Sequence, residues 1–145
     1  MSLDAIFGIA GSGLNAQSLR LNTTASNMAN AQSASSSYDE VYRARHPVFT
    51  AALNQARGGM MPVSSARENT GGVQVLGIVE SDAPLQPRYE PEHPLADDDG
   101  YVYYPNVNVV EEMANMISAS RSFQANVEVM NSAKQMMQRV LTIGQ

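Results

Sequence analysis

All seven prolines of this chain fall between residues 47 and 105. Proline inside a helix costs about 3 kcal/mol, because it removes a backbone donor and clashes with the preceding turn. Long helices are therefore confined to the two proline-free ends, and both ends carry helical sequence. The chain is expected to be mainly α: long N- and C-terminal helices paired as a coiled-coil-like hairpin, with a small extended or β module between them. The expected boundaries are 1–35 for the first helical unit, 36–106 for the middle module and 107–145 for the second helical unit.

The helical reading rests on seven-residue periodicity. At the N-terminus Phe7, Leu14, Leu21 and Met28 step by seven, and Leu3, Ala10, Gln17 and Thr24 form a weaker companion series. Repeats of this kind place one apolar stripe along a helix that packs on another. Ser2 is a fair N-cap, and Asp4 suits the positive end of the helix dipole. Some 28 helical residues would span roughly 42 Å. Three glycines, Gly8, Gly11 and Gly13, each cost about 1 kcal/mol against alanine, so this helix depends on partners. Asn30 to Ser37 reads as helix exit and flexible linker, with Asn27, Asn30 and Ser33 ordering the exit through side-chain-to-backbone bonds.

At the C-terminus the stripe is Val109, Met116, Phe123, Met130 and Met137, with Met113, Val127 and Leu141 expected at the second position. Asn108 followed by Glu111 resembles a capping box, Glu112 adds charge in the first turn, and Gly144 suits a terminator.

Between the helices, Val73 to Val79 alternates as a strand introduced by Gly71-Gly72. Shorter strands are expected at Val48–Leu53 and Tyr101–Tyr104, the latter after the turn Asp98-Asp99-Gly100. Residues 84–95, with four prolines, are expected to be extended, and 54–70 to form a mobile loop.

The formal net charge of −5 lies wholly in the middle. Residues 1–38 carry only Asp4 and Arg20, and residues 107–145 balance three acids against three bases. No basic patch exists to neutralise phosphates, so nucleic acid and anionic membrane surfaces are poor partners. With no cysteine, disulfides, thiol catalysis and thiolate metal sites are excluded. The N-terminus lacks the basic start and uninterrupted apolar run of a cleaved signal, and no stretch approaches the ~20 apolar residues of a membrane span. Export would require a dedicated system that reads the chain uncleaved.

Candidate chemical motifs fail on context. Gly8-Ile-Ala-Gly11-Ser-Gly13 follows no strand and lacks the Lys-Ser/Thr ending of a phosphate loop. Placing Gly100 at the sixth position of a calcium loop puts Leu95 first and Asn106 twelfth, where carboxylates are needed. His46 and His93 each adjoin a proline, with no nucleophile–base arrangement recognisable. The expectation is a non-enzymatic protein with no cofactor and no metal.

The apolar surplus points elsewhere. Val110, Ile117, Val129 and Val140 lie off the C-terminal stripe, and a helix apolar on several sides needs several neighbours. The expected assembly surface comprises Phe7, Leu14, Leu21, Asn27, Met28 and Asn30 on the first helix. On the second it comprises Val109, Met116, Phe123, Met130 and Met137. Polymerisation through these ends is the main reading; a soluble coiled-coil adaptor or secretion-associated binding module is the alternative.

The same segments resemble the bacterial flagellar axial protein family, in its proximal-rod branch. The similarity lies in Ile6 to Asn22, Ala25-Ser-Asn27-Met-Ala-Asn30 with Ser33 at the hydroxyl position, and Tyr42-Arg43-Ala44. It continues in Asp99 to Asn115, Ser118 to Asn126 and Leu141 to Gln145. The resemblance implies a structural rod subunit of the flagellar basal body, exported uncleaved by the flagellar type III apparatus. It also implies an inner tube of paired terminal helices, an outward-facing middle module, and other rod proteins as neighbours.

Overall fold

The structure, a computed structural model, describes residues 3–52 and 71–143. Helix α1 spans Leu3–Asn30 and helix α2 Val109–Ile143. Between them lie strands β1 (Arg45–Ala51), β2 (Val73–Glu80), β3 (Gln86–Tyr89) and β4 (Tyr101–Tyr104). The two helices pack antiparallel as a hairpin, and the strands form two separate antiparallel pairs, β1–β2 and β3–β4. Ser2, Gly144 and the segment 54–70 lie outside the described residues.

At 28 and 35 residues, the helices run roughly 42 and 52 Å. The prolines act as expected, since neither helix contains one. At the start of α2, Asn108 Oδ1 accepts from the amides of Val110 (3.1 Å) and Glu111 (3.4 Å), satisfying two donors that lack helical partners.

The contact between the helices differs from the apolar stripes in composition. Ala10, Ala16, Thr23, Thr24 and Asn27 are the buried positions of α1, and Glu112, Ala119 and Ala133 those of α2. Asn126 completes the α2 series at the same seven-residue step: a β-carbon placed on Gly13 would sit 3.0 Å from its Nδ2. Small side chains let two backbones approach, so the seam is built of Ala, Gly, Thr and Asn. The large residues flank it. Met113, Val127 and Leu141, expected at the second seam position, are exposed. Position 112 and its seven-residue successors occupy that place instead, because Ala119 and Ala133 fit the narrow gap and longer side chains do not.

The β1–β2 ribbon lies along α1. β1 begins at Arg45, earlier than the Val48 start expected, because Arg45, His46 and Pro47 pair with Glu80, Val79 and Ile78. Val48 opposes Gly77 while Phe49 opposes Val75, so Leu76 is an extra residue forming a β-bulge. The ribbon is anchored on α1 where Ser12 Oγ accepts from the Val73 amide at 3.1 Å. Gly72 is needed at this approach: a β-carbon there would meet Ser12 Oγ at 2.6 Å.

The β3–β4 pair sits off the helices. Extension through 84–95 stops at Tyr89, after which turns at Pro91–Leu95 are closed by His93 N to Glu90 O (3.0 Å) and Ala96 N to His93 O (2.9 Å). Asp97 organises the return: its Oδ1 accepts from the amides of Asp99 and Tyr101 (3.1 and 2.7 Å), and Gly100 takes a φ of 83°. The Asp-rich stretch is thus a turn, as its composition suggested. The helix exit is pinned to this module by the Ser35–Tyr103 bridge. Val41, Ala44, Leu85, Val102 and Val107 are buried apolar residues of the described segments outside the helices.

A candidate assembly surface on the helical hairpin

Two regions carry the chemistry of this molecule: a polar node at the root of the hairpin and an apolar surface along its length.

Asn27 is fully buried, and its side chain is satisfied on every side. Nδ2 donates to the Arg45 carbonyl (2.8 Å) and to Glu112 Oε2 (3.2 Å), while Oδ1 accepts from Tyr42 OH (2.8 Å) and the Arg45 amide (2.9 Å). The side-chain amide thereby pairs with the Arg45 backbone as a strand neighbour would, joining α1, the start of β1 and the first turn of α2. Glu112, 3% exposed, is buried beside the N-terminus of α2, where the helix dipole favours a carboxylate. A second staple is Asn106. Its Oδ1 accepts from the Ala44 amide at 2.8 Å, and its Nδ2 donates to the carbonyls of Ser81 and Ala83 at 3.1 and 2.8 Å. Further along, Arg20 donates to Asn115 Oδ1 at 2.8 Å. Asn30 and Ser33 make the local bonds expected at a helix exit, to the carbonyls of Ser26 and Asn30 respectively.

The side-chain bonds just described lie toward the module. Beyond Gly13 small-residue contact joins the helices, and along the whole length of the hairpin the large apolar residues are only partly covered. Phe7, Leu14, Leu21 and Met28 are each half-buried, as are Val109, Met116, Phe123, Met130 and Met137. Beyond them, Val110 (75%), Ile117 (56%), Val140 (64%) and Leu141 (67%) face solvent. The structure therefore brings the predicted apolar residues to the rims of the seam rather than to its centre, while Asn27, also expected on the assembly surface, is buried in the polar node. Reasoning from sequence missed the seam itself, yet its signal was present: Glu112, Ala119, Asn126 and Ala133 repeat at seven, three residues after each large apolar position. It also missed Tyr42, Asn106 and Asn115, whose partners lie far away in sequence.

A cavity of about 420 Å³ is lined by Ser33, Asp39, Glu40, Arg43, Arg45 and Glu80, and one of about 230 Å³ by Arg20, Thr24, His46, Pro47, Phe49 and Asn115. Among the described residues no cluster of three or more His, Asp or Glu side chains could hold a metal, and no helix is long and apolar enough to cross a membrane. His93 Nδ1 is occupied by the Leu95 amide at 3.1 Å.

In the β3–β4 pair, half-burial, followed by the adjacent Asp97 carboxylate, pushes the Tyr103 phenol above its ordinary pKa. Half-burial, followed by Glu90, does the same for Tyr104, partly offset by Arg88 lying 4.5 Å from its ring centre. These are structural pairings of a neutral phenol with a carboxylate acceptor.

Comparison with known proteins agrees with this geometry. Residues 7–32 match the family model described as flagella basal body rod protein, and residues 98–143 match that of the C-terminal region of flagellar basal body rod FlgEFG proteins. The two matched segments are α1 with its exit, and β4 with α2. Over its full length, and theirs, the chain is 52% identical to flagellar basal-body rod proteins FlgC of Escherichia coli and Salmonella typhimurium. It is 37% identical to that of Borreliella burgdorferi, over 99% of this chain and 98% of the relative. With its terminal hairpin matched to rod-family models and its entire length to these relatives, the chain belongs to the flagellar basal-body rod protein family, in its FlgC branch.

Proposed function

We propose that the protein is a structural subunit of the flagellar basal-body rod, polymerising through its terminal helices to form part of a torque-transmitting shaft. One observation carries this reading: the seam within the hairpin uses small residues, leaving the large apolar side chains of both helices on its rims and outer faces. A solitary chain gains little from such an arrangement, because each exposed aliphatic side chain forgoes up to about 1.5–3 kcal/mol of burial. Neighbouring copies and other rod proteins would cover them, and the hairpin would wind there as a coiled coil. Burial of that surface on several sides gives a stiff joint, which is the property a drive shaft needs.

The role is mechanical rather than enzymatic, and it calls for no cofactor. Passage through the flagellar type III export apparatus without signal cleavage would deliver the chain to the periplasmic part of the basal body. The soluble-adaptor alternative predicts a closed, discrete oligomer, whereas open apolar rims and rod-protein relatives favour an extended assembly. The test is genetic: Leu14→Asp or Phe123→Asp, introduced at the native locus, should leave export intact and abolish rod assembly and motility. Wild-type swimming in both variants would sink the proposal.

A further inference from the structure

Among the described residues, the β1–β2 ribbon covers one flank of the hairpin and leaves the other bare. On the covered flank, His46, Pro47 and Phe49 face Arg20, Thr24 and Asn115 across a shallow cavity. Successive helix residues are turned by about 100°, so Asn115 lies roughly 60° from the buried Glu112 in one sense. Met113 lies about 100° away in the other, with Val110 and Ile117 further round. These three, with Val127, form an uncovered face: Val110 is 75% exposed, Met113 48%, Ile117 56% and Val127 37%. The ribbon in turn has an exposed apolar surface of its own. Val48 (39% exposed) and Val79 (56%) share its outer face with Leu76, the bulge residue, at 67%, whereas Ile78 alternates to the opposite face with its partner Pro47.

The two surfaces lie at the same height. The ribbon runs along α1 from Asn27, which holds Arg45, to Ser12, which holds Val73. Across the hairpin those levels correspond to Glu112, bonded to Asn27, and Asn126, which touches Gly13. The bare face of α2 extends over the same interval. A second copy set beside the first, with no axial shift, brings the ribbon of one against α2 of the other.

We propose that the outer ribbon surface of one copy docks on the bare α2 face of the next, with Val48, Leu76 and Val79 meeting Val110, Met113 and Ile117. This rests on the rod reading, since a contact between unlike faces propagates into a ring or helix instead of closing as a dimer. The charges permit it. Arg45 and Glu80 at the ribbon end are paired with each other at 3.0 Å, and the α2 face is uncharged through Val110, Met113, Ile117, Ser120, Gln124 and Val127. The area explains why a pair alone would not last. Half-exposed aliphatic residues on the two faces together hide on the order of 400 Å² of apolar surface. At the usual interface composition this is roughly 700 Å² in all, short of the ~1,000 Å² that a stable isolated pair requires. The contact holds only where it is repeated, so it belongs to the assembled state.

Because the chain has no cysteine, the docking can be read directly by cross-linking. The full-length Leu76→Cys/Ile117→Cys variant, concentrated and treated with a short bis-maleimide, should give a ladder of covalent oligomers. Each single variant alone should stay monomeric on a denaturing gel, and a mixture of the two should give dimer and nothing larger. A second pair, Val79→Cys with Met113→Cys, should repeat the pattern and guards against a local disturbance at the bulge. Self-cross-linking of Leu76→Cys or of Ile117→Cys would overturn the proposal by showing like-on-like contact. So would scattering-detected assembly with no cross-link in either pair, an outcome that leaves the rod reading standing. Absence of any assembly at all concentrations would sink both.

Discussion

Asn27 shows how a single polar residue can specify the way a hairpin closes. Each of its two amide protons and both lone-pair directions of its oxygen has a partner, drawn from α2, the start of β1 and Tyr42. Truncation to alanine leaves Glu112 Oε2 without this partner in a buried place and both backbone groups of Arg45 without theirs in a partly buried one, and an unsatisfied buried group costs about 1–3 kcal/mol. Asn27→Ala should therefore raise the exchange rate of the Arg45 amide by roughly 30-fold or more, on a net loss of about 2–3 kcal/mol. Hydrogen-exchange measurement on the purified chain checks this; unchanged protection at Arg45 would mean that the node is ornamental. The glycines divide by the same logic. Gly13 faces Asn126 across the seam, whereas a β-carbon on Gly11 would meet nothing within 4 Å. Gly11→Ala should strengthen α1 by about 1 kcal/mol through backbone propensity alone. Gly13→Val should wedge the helices apart and lower helicity, and circular dichroism of the pair of variants would separate the two effects.

Among the elements, the β3–β4 pair responds to alkali in a predictable way. Tyr103 and Tyr104 have pKa values raised in the folded chain by half-burial and by their carboxylate partners. The neutral phenol is thus favoured by folding. Its contribution to stability is full below the ordinary phenol pKa of about 10 and is lost as pH climbs through the raised values. Titration of tyrosinate absorbance should show two late-ionising phenols whose release coincides with loss of the β3–β4 pair. Asp97→Asn should bring Tyr103 down while leaving Tyr104 late; if both stay late, the carboxylate is not a contributor. The helices behave differently, for beyond the polar node small-residue contact joins them. In dilute solution the amides of α1 before Gly13 and of α2 beyond Phe123 should exchange fastest, and become protected on assembly.

For the whole molecule, the solvent-facing apolar residues of the helices and the β1–β2 ribbon are what support the proposed assembly. Leu14→Asp or Phe123→Asp should remove assembly without unfolding the module, because neither residue belongs to the polar node; basal bodies lacking a rod in such strains would be the expected result. Much of this was legible in the sequence. Confinement of the prolines placed both helices, the seven-residue stripes identified the large apolar residues, and alternation at Val73 to Val79 marked β2, all because backbone sterics and periodicity act locally. What the large residues do was not legible. A stripe of Phe, Leu and Met reads as the centre of a helix pair, but the partner helix approaches along Ala119, Asn126 and Ala133, where only short side chains allow the backbones so close. The same holds for Asn27, whose partners at Arg45, Tyr42 and Glu112 are distant along the chain, and for the bulge at Leu76, which exists only once β1 has chosen its register. Spacing along a chain determines which face a residue shares; which face is covered depends on what arrives from elsewhere, and that is decided by packing in three dimensions.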